Sequence, residues 1–249
     1  MKTATRIATS LVLFMVAFSS AFGQKKEKDD VYYFTDDKVK HSRLGVSANF
    51  TPMLTSRNLL LGDNAFTDGT FLYTRKRASG QFGYTFGGEV IVALSKSLDL
   101  RVGAQQSQGG FSYSKIDVTD LNGNLLGNAT GTADFSSLDI PIKFVVHSDI
   151  TDILGMEYGI GMELNFYQRY LLNYSYNGVD QSIDYSDQVT SPNYSVVIQL
   201  GVNFMPYDKV EFFTTPVFRY TIRTLVNTPD VDQETTYAIG MHLGVRYRF

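Results

Sequence analysis

From Leu44 to its last residue the chain repeats one motif: a large apolar side chain, then a small or polar one, then an apolar one again. The clearest instance is Thr236–Phe249. Tyr237, Ile239, Met241, Leu243, Val245, Tyr247 and Phe249 alternate there with Thr236, Ala238, Gly240, His242, Gly244, Arg246 and Arg248. A period of two puts the two sets on opposite faces of a strand. The run exceeds the usual strand of about 5–6 residues and suits one that crosses a bilayer in about 9–11. Seven earlier stretches carry the same alternation. Their apolar faces run Leu44 to Phe50, Phe82 to Leu94, Leu98 to Ala104 with a continuation through Phe111 and Tyr113, Leu138 to Val146, Met156 to Phe166, Tyr194 to Phe204 and Val210 to Ile222. Pro141 and Pro216 lie inside two of them, and each predicts a bulge or a missing ladder bond.

The links between these stretches alternate in length. Ser95–Ser97, Ser148–Ile153 and Met205–Lys209 are short, whereas the polar links near 55–80, 116–133, 177–193 and 226–235 are long. Short turns at one end and long loops at the other are the pattern of an up-and-down outer-membrane barrel. The expected fold is therefore all-β: an eight-stranded antiparallel up-and-down transmembrane β-barrel over 44–249, with both ends in the periplasm. A soluble eight-stranded barrel is the competing reading. It would turn the large apolar residues inward.

The second face carries the charge. Glu89, Asp99, Arg101, Asp139, Lys143, Glu157, Glu163, Glu211, Arg219, Arg223, Arg246 and Arg248 all fall on it, six acids and six bases. A cation facing lipid at the midplane would cost roughly 2–4 kcal/mol. Facing a narrow lumen, the same groups can pair. Eight strands leave just enough interior for side chains, so the expected lumen is a plug of paired charges.

Composition adds limits. The chain has 249 residues and a formal charge of −3, with no basic footprint for nucleic acid. It has no cysteine, which removes disulfides and thiolate chemistry. Residues 1–23 read as a secretory signal. Lys2 and Arg6 open it, Ile7–Phe18 is mostly apolar, and Ala21-Phe22-Gly23 precedes a cut before Gln24. No Cys follows, so no lipoprotein anchor is expected. Loss of Lys2 and Arg6 leaves 20 of the 22 basic residues against 25 acidic ones, a mature charge of −5. Residues 24–43 form a charged periplasmic lead-in ending near Val31-Tyr32-Tyr33-Phe34 and His41.

The carboxy-terminal stretch resembles the terminal strand by which Gram-negative barrels are recognised for insertion, with Leu243, Val245, Tyr247 and Phe249 as the signal. The chain as a whole resembles the PorT-like outer-membrane β-barrel family of the Bacteroidetes type. The resemblance covers about Leu44–Phe249. It is carried by the signal ending Ala-Phe-Gly before Gln24, Ser137-Leu138-Asp139-Ile140-Pro141-Ile142-Lys143-Phe144, Gly159-Ile160-Gly161 and Arg246-Tyr247-Arg248-Phe249. It implies a barrel in the cell outer membrane. The family's namesake implies a role in type IX secretion.

Candidate chemistry is sparse. His147, Ser148 and Asp149 contain the residue types of a hydrolytic triad, but a triad is a matter of geometry and not of adjacency. His242 falls on the lumen face. Asp120-Leu121-Asn122-Gly123-Asn124 is rich in oxygen donors, yet Leu125 and Gly131 stand where an EF-hand needs Gly and Glu. Tyr174, Tyr176, Tyr194, Phe218, Tyr220, Tyr237 and Phe249 are candidates for aromatic girdles. The expected role is structural or interactive, including service as a secretion accessory. A surface adhesin acting through the loops and a lipid-modifying enzyme are the alternatives. The expected partners are outer-membrane lipids, the barrel assembly machinery during insertion and an envelope protein. No enzyme activity, cofactor, metal or nucleic acid is expected.

Overall fold

The computed structural model describes residues 44–61, 65–67, 72–120, 122–151, 153–207, 209–226 and 233–249, without the side chains of 59–61, 65–67, 75–77 and 233. The expected signal peptide, the charged lead-in and His41 lie outside the described residues. Among the described residues ten strands form one antiparallel sheet: β1 (Leu44–Leu61), β2 (Ala65–Thr67), β3 (Leu72–Ala93), β4 (Leu98–Thr119), β5 (Leu125–Asp149), β6 (Leu154–Tyr176), β7 (Val179–Asp184), β8 (Asn193–Tyr207), β9 (Val210–Thr221) and β10 (Gln233–Arg248). β1 pairs with β10 along one edge and with β3 along the other, which closes eight long strands into a barrel. β2 and β7 are short additions that pair only with β3 and β6. The chain is thus an all-β, eight-stranded antiparallel barrel.

The large apolar residues face outward around the lower part of the barrel. Leu54, Phe82 and Ile160 are 59%, 67% and 55% exposed. Their outward neighbours along each strand are apolar too, and together they make a band. The soluble-barrel arrangement is therefore reversed.

The strands then run on past the band. β4 has 22 residues, β5 25 and β6 23, where about 9–11 cross a bilayer. Much of what read as long polar links is therefore strand. β4 extends to Thr119 and β5 begins at Leu125, leaving a tight turn at Asp120–Asn124. β7 and a short 3-10 turn, Ser186–Gln188, occupy the 177–193 link. A polar outer face does not mark a loop; it marks a strand with water on that side.

In this extension the interior becomes apolar. Tyr73, Phe111, Tyr113, Ile116, Val118, Phe135, Tyr170, Leu172 and Tyr174 pack together inside it. On β4 the change comes from the residues alone, since Ser107, Phe111 and Tyr113 are buried on one face. Bulges above it on β4 and on β6 then exchange the faces. On β6 the register jumps from Tyr167 to Arg169, leaving Gln168 unpaired. Below that point Glu163 and Asn165 are buried; above it Tyr170, Leu172 and Tyr174 are. One extra residue in a strand of period two exchanges the faces. On β4, Ser114 and Lys115 lie opposite the single residue Thr130, and burial passes from Tyr113 to Ile116 and Val118.

The prolines interrupt the ladder without shifting it. Pairing of β4 with β5 lapses between Val102↔Ile142 and Gln105↔Asp139, opposite Pro141. Pairing of β8 with β9 lapses between Gln199↔Val217 and Val202↔Thr214, at Pro216. Pro52 does the same between β1 and β10. A residue with no N–H leaves a rung empty, and the flanking rungs hold the register.

Candidate functional site

The inward-facing side chains of the lower barrel form tiers. At the open end of the short turns, Arg248 Nη2 lies 3.1 Å and Arg101 Nη2 3.5 Å from Asp99 Oδ2, with His147 Nδ1 3.6 Å from the same oxygen. Above them Glu157 accepts from Arg101 Nη2 at 3.0 Å, Arg246 Nη2 at 3.1 Å and Thr215 Oγ1 at 3.0 Å. Arg246 also donates to Glu211 through Nη1, and its guanidinium lies 4.6 Å from the centroid of Phe213. These groups come from β4, β5, β6, β9 and β10, so the ion pairs tie opposite walls together.

The next tier is the pair Lys143–Glu89 at 2.6 Å. Lys143 Nζ also donates to Gln199 Oε1, and Gln105 Nε2 donates to Glu89 Oε1. Both members lie over glycines. A Cβ on Gly161 would sit 2.7 Å from Lys143 Cγ, and one on Gly103 would sit 2.7 Å from Glu89 Cγ. His242 shares this level, with Nδ1 2.7 Å from Thr51 Oγ1 and its ring against Phe213. Above it Arg219 bridges Asp139 at 3.0 Å and Glu163 at 2.7 Å. Asp139 accepts further from Ser137, Asn165 and Ser107.

A last pair caps the charged lumen. Arg57 Nη1 lies 2.7 Å from Glu234 Oε2, and Tyr170 donates to Glu234 Oε1 at 2.7 Å. The Arg57 guanidinium stands 4.8 Å from the Tyr113 centroid. The pair therefore joins the ion network to the aromatic core. Both residues escape the sequence reading because they fall in stretches assigned to loops. The available signal is an Arg and a Glu at alternating positions beside Thr55 and Thr236.

The structure brings together Glu89, Arg101, Asp139, Lys143, Glu157, Glu163, Glu211, Arg219 and Arg246, with Asp99 and Arg248. Arg223 is not among them. β9 ends at Thr221, the alternation stops there, and Arg223 is exposed, with its carbonyl accepting from Asn193 Nδ2. Without it, six acids face five bases in the tiers below Arg57 and Glu234.

Space in the lumen is small. A cavity of about 20 Å³ lies beside Ser107, Phe135 and Arg219, and one of about 10 Å³ beside Thr51, Lys143 and His242. Each has room for about one water at most.

Leu243, Val245, Tyr247 and Phe249 face outward and are 39%, 42%, 41% and 61% exposed. Phe249 donates its N–H to Leu44 O at 3.1 Å and meets Tyr247 edge-on. Of the girdle candidates, Phe218 and Phe249 are exposed. Tyr174 and Tyr176 do not belong to the set. Tyr174 is buried in the upper core and Tyr176 packs against it, because the Gln168 bulge turns that part of β6 inward.

β5 runs through Asp149, so His147 and Ser148 point to opposite faces. At the β4–β5 turn, Asp120 accepts from the Asn122 N–H at 2.9 Å and from the Asn124 N–H and Nδ2 at 2.8 Å each. Those bonds, the Asn124 side-chain bond foremost, hold the Asp120 carboxyl below its ordinary pKa. Its oxygens serve the turn.

No family model matches the chain, and no curated protein matches it. Among solved structures it is similar to Neisserial surface protein A, at 15% identity over 84% of this chain and 98% of that one, with a TM-score of 0.48. It is similar to OprG of Pseudomonas aeruginosa at 14% identity, 86% and 99% coverage and a TM-score of 0.44. It is similar to the outer-membrane protease OmpT of Escherichia coli at 7% identity, 86% and 99% coverage and a TM-score of 0.48. The assignment of this chain as a barrel rests on its own strand pairing.

Proposed function

We propose that this chain is a non-conducting outer-membrane β-barrel that carries a rigid β-extension at the cell surface and has an interaction role. One observation carries the reading: the two faces of the sheet exchange character along the strand. Below, an apolar exterior encloses ion pairs; above, a polar exterior encloses an aromatic core. A barrel inserted in lipid and standing out into water needs that exchange. Among the described residues the interior is filled on both sides of it, which speaks against transport. The extension supports presentation of a surface to a partner. The reading is non-enzymatic, in keeping with the divergent directions of His147 and Ser148. Lipids meet the apolar band, and the assembly machinery meets the terminal strand.

The test is electrical and topological. The purified protein in a planar bilayer is expected to show no steady channel. Arg219→Ala leaves Asp139 and Glu163 without their cation and is expected to raise leakage. Arg223→Ala, outside the lumen, is expected to leave leakage unchanged. A tag at Asn124 is expected to be read on intact cells and one at Lys96 only after permeabilisation. Steady channels from the unaltered protein, or the reverse tag pattern, overturn the reading.

Membership in the PorT-like family and an accessory role in secretion are proposed on the residue resemblance alone. Crosslinking in native outer membranes tests them. Capture of secretion components supports the role, and their absence from the captured set removes it.

A further inference from the structure

The outer wall of the extension carries a trough of about 660 Å³ across β4, β5, β6 and β7. Strand register fixes what lines it. Ser112 lies opposite Thr132, Thr132 opposite Asn173, and Asn173 opposite Ser182. These four side chains form one row across the sheet. Thr130, Ser175 and Asp180 form a second row, with Ser114 beside them at the β4 bulge. Neighbours within a row stand about 4.8 Å apart, and the rows are about 6.6 Å apart along the strands. The floor is the backbone around Gly131 and the buried rings of Tyr113 and Tyr174.

The chemistry of the lining excludes several occupants. Among the described residues its outward side chains are hydroxyls, an amide and a carboxylate, with no Lys or Arg and no large apolar group. An acyl chain needs an apolar wall. A phosphate needs cations or a cluster of aimed N–H donors. A protein hot spot needs an aromatic, Arg or aliphatic anchor. A regular array of groups that both donate and accept matches a ligand of the same kind, the vicinal hydroxyls of a neutral saccharide. The size lies in the range of small-ligand sites, about 300–1,000 Å³.

Part of the array is held in place from the side by Asp134, the next residue on the same face of β5. Asp134 accepts from Asn173 Nδ2 at 2.9 Å, Thr132 Oγ1 at 3.3 Å and Gln81 Nε2 at 3.1 Å. The bond from Tyr174 to Gln181 pins β7 against β6. Fixing the rotamers of Asn173 and Thr132 beforehand lowers the cost of binding.

Position selects the source. The trough opens sideways from the wall, not at the tip. Thr132 is six residues along β5 from Leu138, an outward residue of the apolar band, or about 20 Å of strand and less in height because barrel strands tilt. At that height beside an outer-membrane barrel stand the sugar headgroups of outer-leaflet glycolipids. We propose that this trough binds the saccharide portion of a neighbouring glycolipid, packing the extension into the sugar layer. The position of the sugar rests on the outer-membrane reading; the chemistry of the trough does not.

The experiment uses the full-length protein in detergent. It is titrated with deacylated and dephosphorylated core oligosaccharide from the producing cell's own outer-leaflet glycolipid and, separately, with dextran, binding being followed by NMR shifts. Saturable binding of the oligosaccharide is expected. Thr132→Val with Asn173→Leu is expected to weaken it about tenfold, the worth of one or two hydrogen bonds. Heat-modifiable gel mobility reports separately whether each variant is a folded barrel. Should that pair fail to fold, Ser112→Ala with Ser182→Ala serves, with a smaller weakening expected. A folded protein that gives no saturable response, or variants that bind as the parent does, overturn the trough. Saturable binding of dextran without the core oligosaccharide overturns the glycolipid source. Loss of heat-modifiable mobility in the unaltered protein overturns the barrel in a membrane, and the sugar titration still decides the trough.

Discussion

The lower and upper halves of this barrel use the same strands to opposite ends. On β6, Ile160 faces out and is 55% exposed while Glu157 and Glu163 are buried; farther along, Leu172 is 1% exposed inside and Asn173 lies on the outer wall. The backbone ladder runs on through the change with one register shift, at Gln168. What differs is the medium beyond the wall. An apolar exterior is stable only against lipid, and a polar lumen only if its charges pair. An aromatic interior is stable only where the exterior can be given to water. The difference teaches that strand alternation specifies two faces, while the outer medium decides which is the core.

The largest expected effect comes from displacing the faces of the lower half by one residue. An Ala inserted after Gly240 turns Arg246 outward, at roughly 2–4 kcal/mol for a cation in lipid. It also strips Glu157 and Glu211 of a partner. No heat-modifiable barrel is expected in membrane fractions. The same insertion between Asn122 and Gly123, in the exposed turn of the extension, is expected to leave the barrel intact. Equal behaviour of the two insertions breaks the comparison.

Single truncations sharpen it. Glu157→Ala leaves Arg101 and Arg246 short of their shared carboxylate, and breaking a buried pair costs about 3–5 kcal/mol. Phe111→Ala removes a ring that is 0% exposed, at about 3–5 kcal/mol. The sums are alike and the places are not. Hydrogen exchange is expected to rise around the whole lower barrel for the first variant. For the second it is expected to rise only on β4–β6 above the bulges. Identical exchange maps mean that the halves unfold as one unit.

How much of this is legible in the sequence follows from the same contrast. In the lower half, Leu138 to Val146 and Tyr237 to Phe249 alternate large against small or charged, and the pattern can be read directly. In the upper half it fades. The inward positions on β5 include Ala129, Gly131 and Ala133, which are small, and the outward ones are Thr130 and Thr132, small and polar. Bulges then change the phase, among them those at Ser114–Lys115 and at Gln168. Alternation alone consequently places Tyr174 on the lipid side when it is core, and it passes over Arg57 and Glu234 as loop residues. Arg223 fails for the opposite reason: the alternation is extended past the end of β9.

A smaller effect on stability is expected from removing Phe249. Its ring is 61% exposed in the barrel, and its N–H makes a single bond to Leu44. Deletion is expected to lower stability by only about 1 kcal/mol, the worth of one such bond, when the protein is refolded into detergent. Yet the outward row of Leu243, Val245, Tyr247 and Phe249 is the proposed insertion signal. In cells the deleted chain is therefore expected to be depleted from the outer membrane. Equal loss in the refolding assay would make Phe249 a packing residue.

The smallest effect belongs to the far end of the extension. Asp120 holds its turn by accepting from Asn124 Nδ2 and from the N–H groups of Asn124 and Asn122. Those bonds favour the charged form, and the folded carboxyl titrates below its ordinary value of 3.8. A group with a depressed folded pKa contributes stability that is fully present above the unfolded value. The contribution is lost as pH falls through the folded value. The turn is therefore expected to be unchanged from neutral pH down to about pH 5 and to loosen only below the ordinary carboxyl range. The readout is amide exchange at Asn122 and Asn124, both exposed. Asp120→Asn keeps an acceptor oxygen and loses the charge, so its turn is expected to exchange faster at neutral pH and to lose that acid step. The lower barrel contains no part of this turn, and its melting temperature is expected to stay the same in the variant. A fall in that temperature would mean that the tip of the extension is coupled to the ion pairs of the lumen.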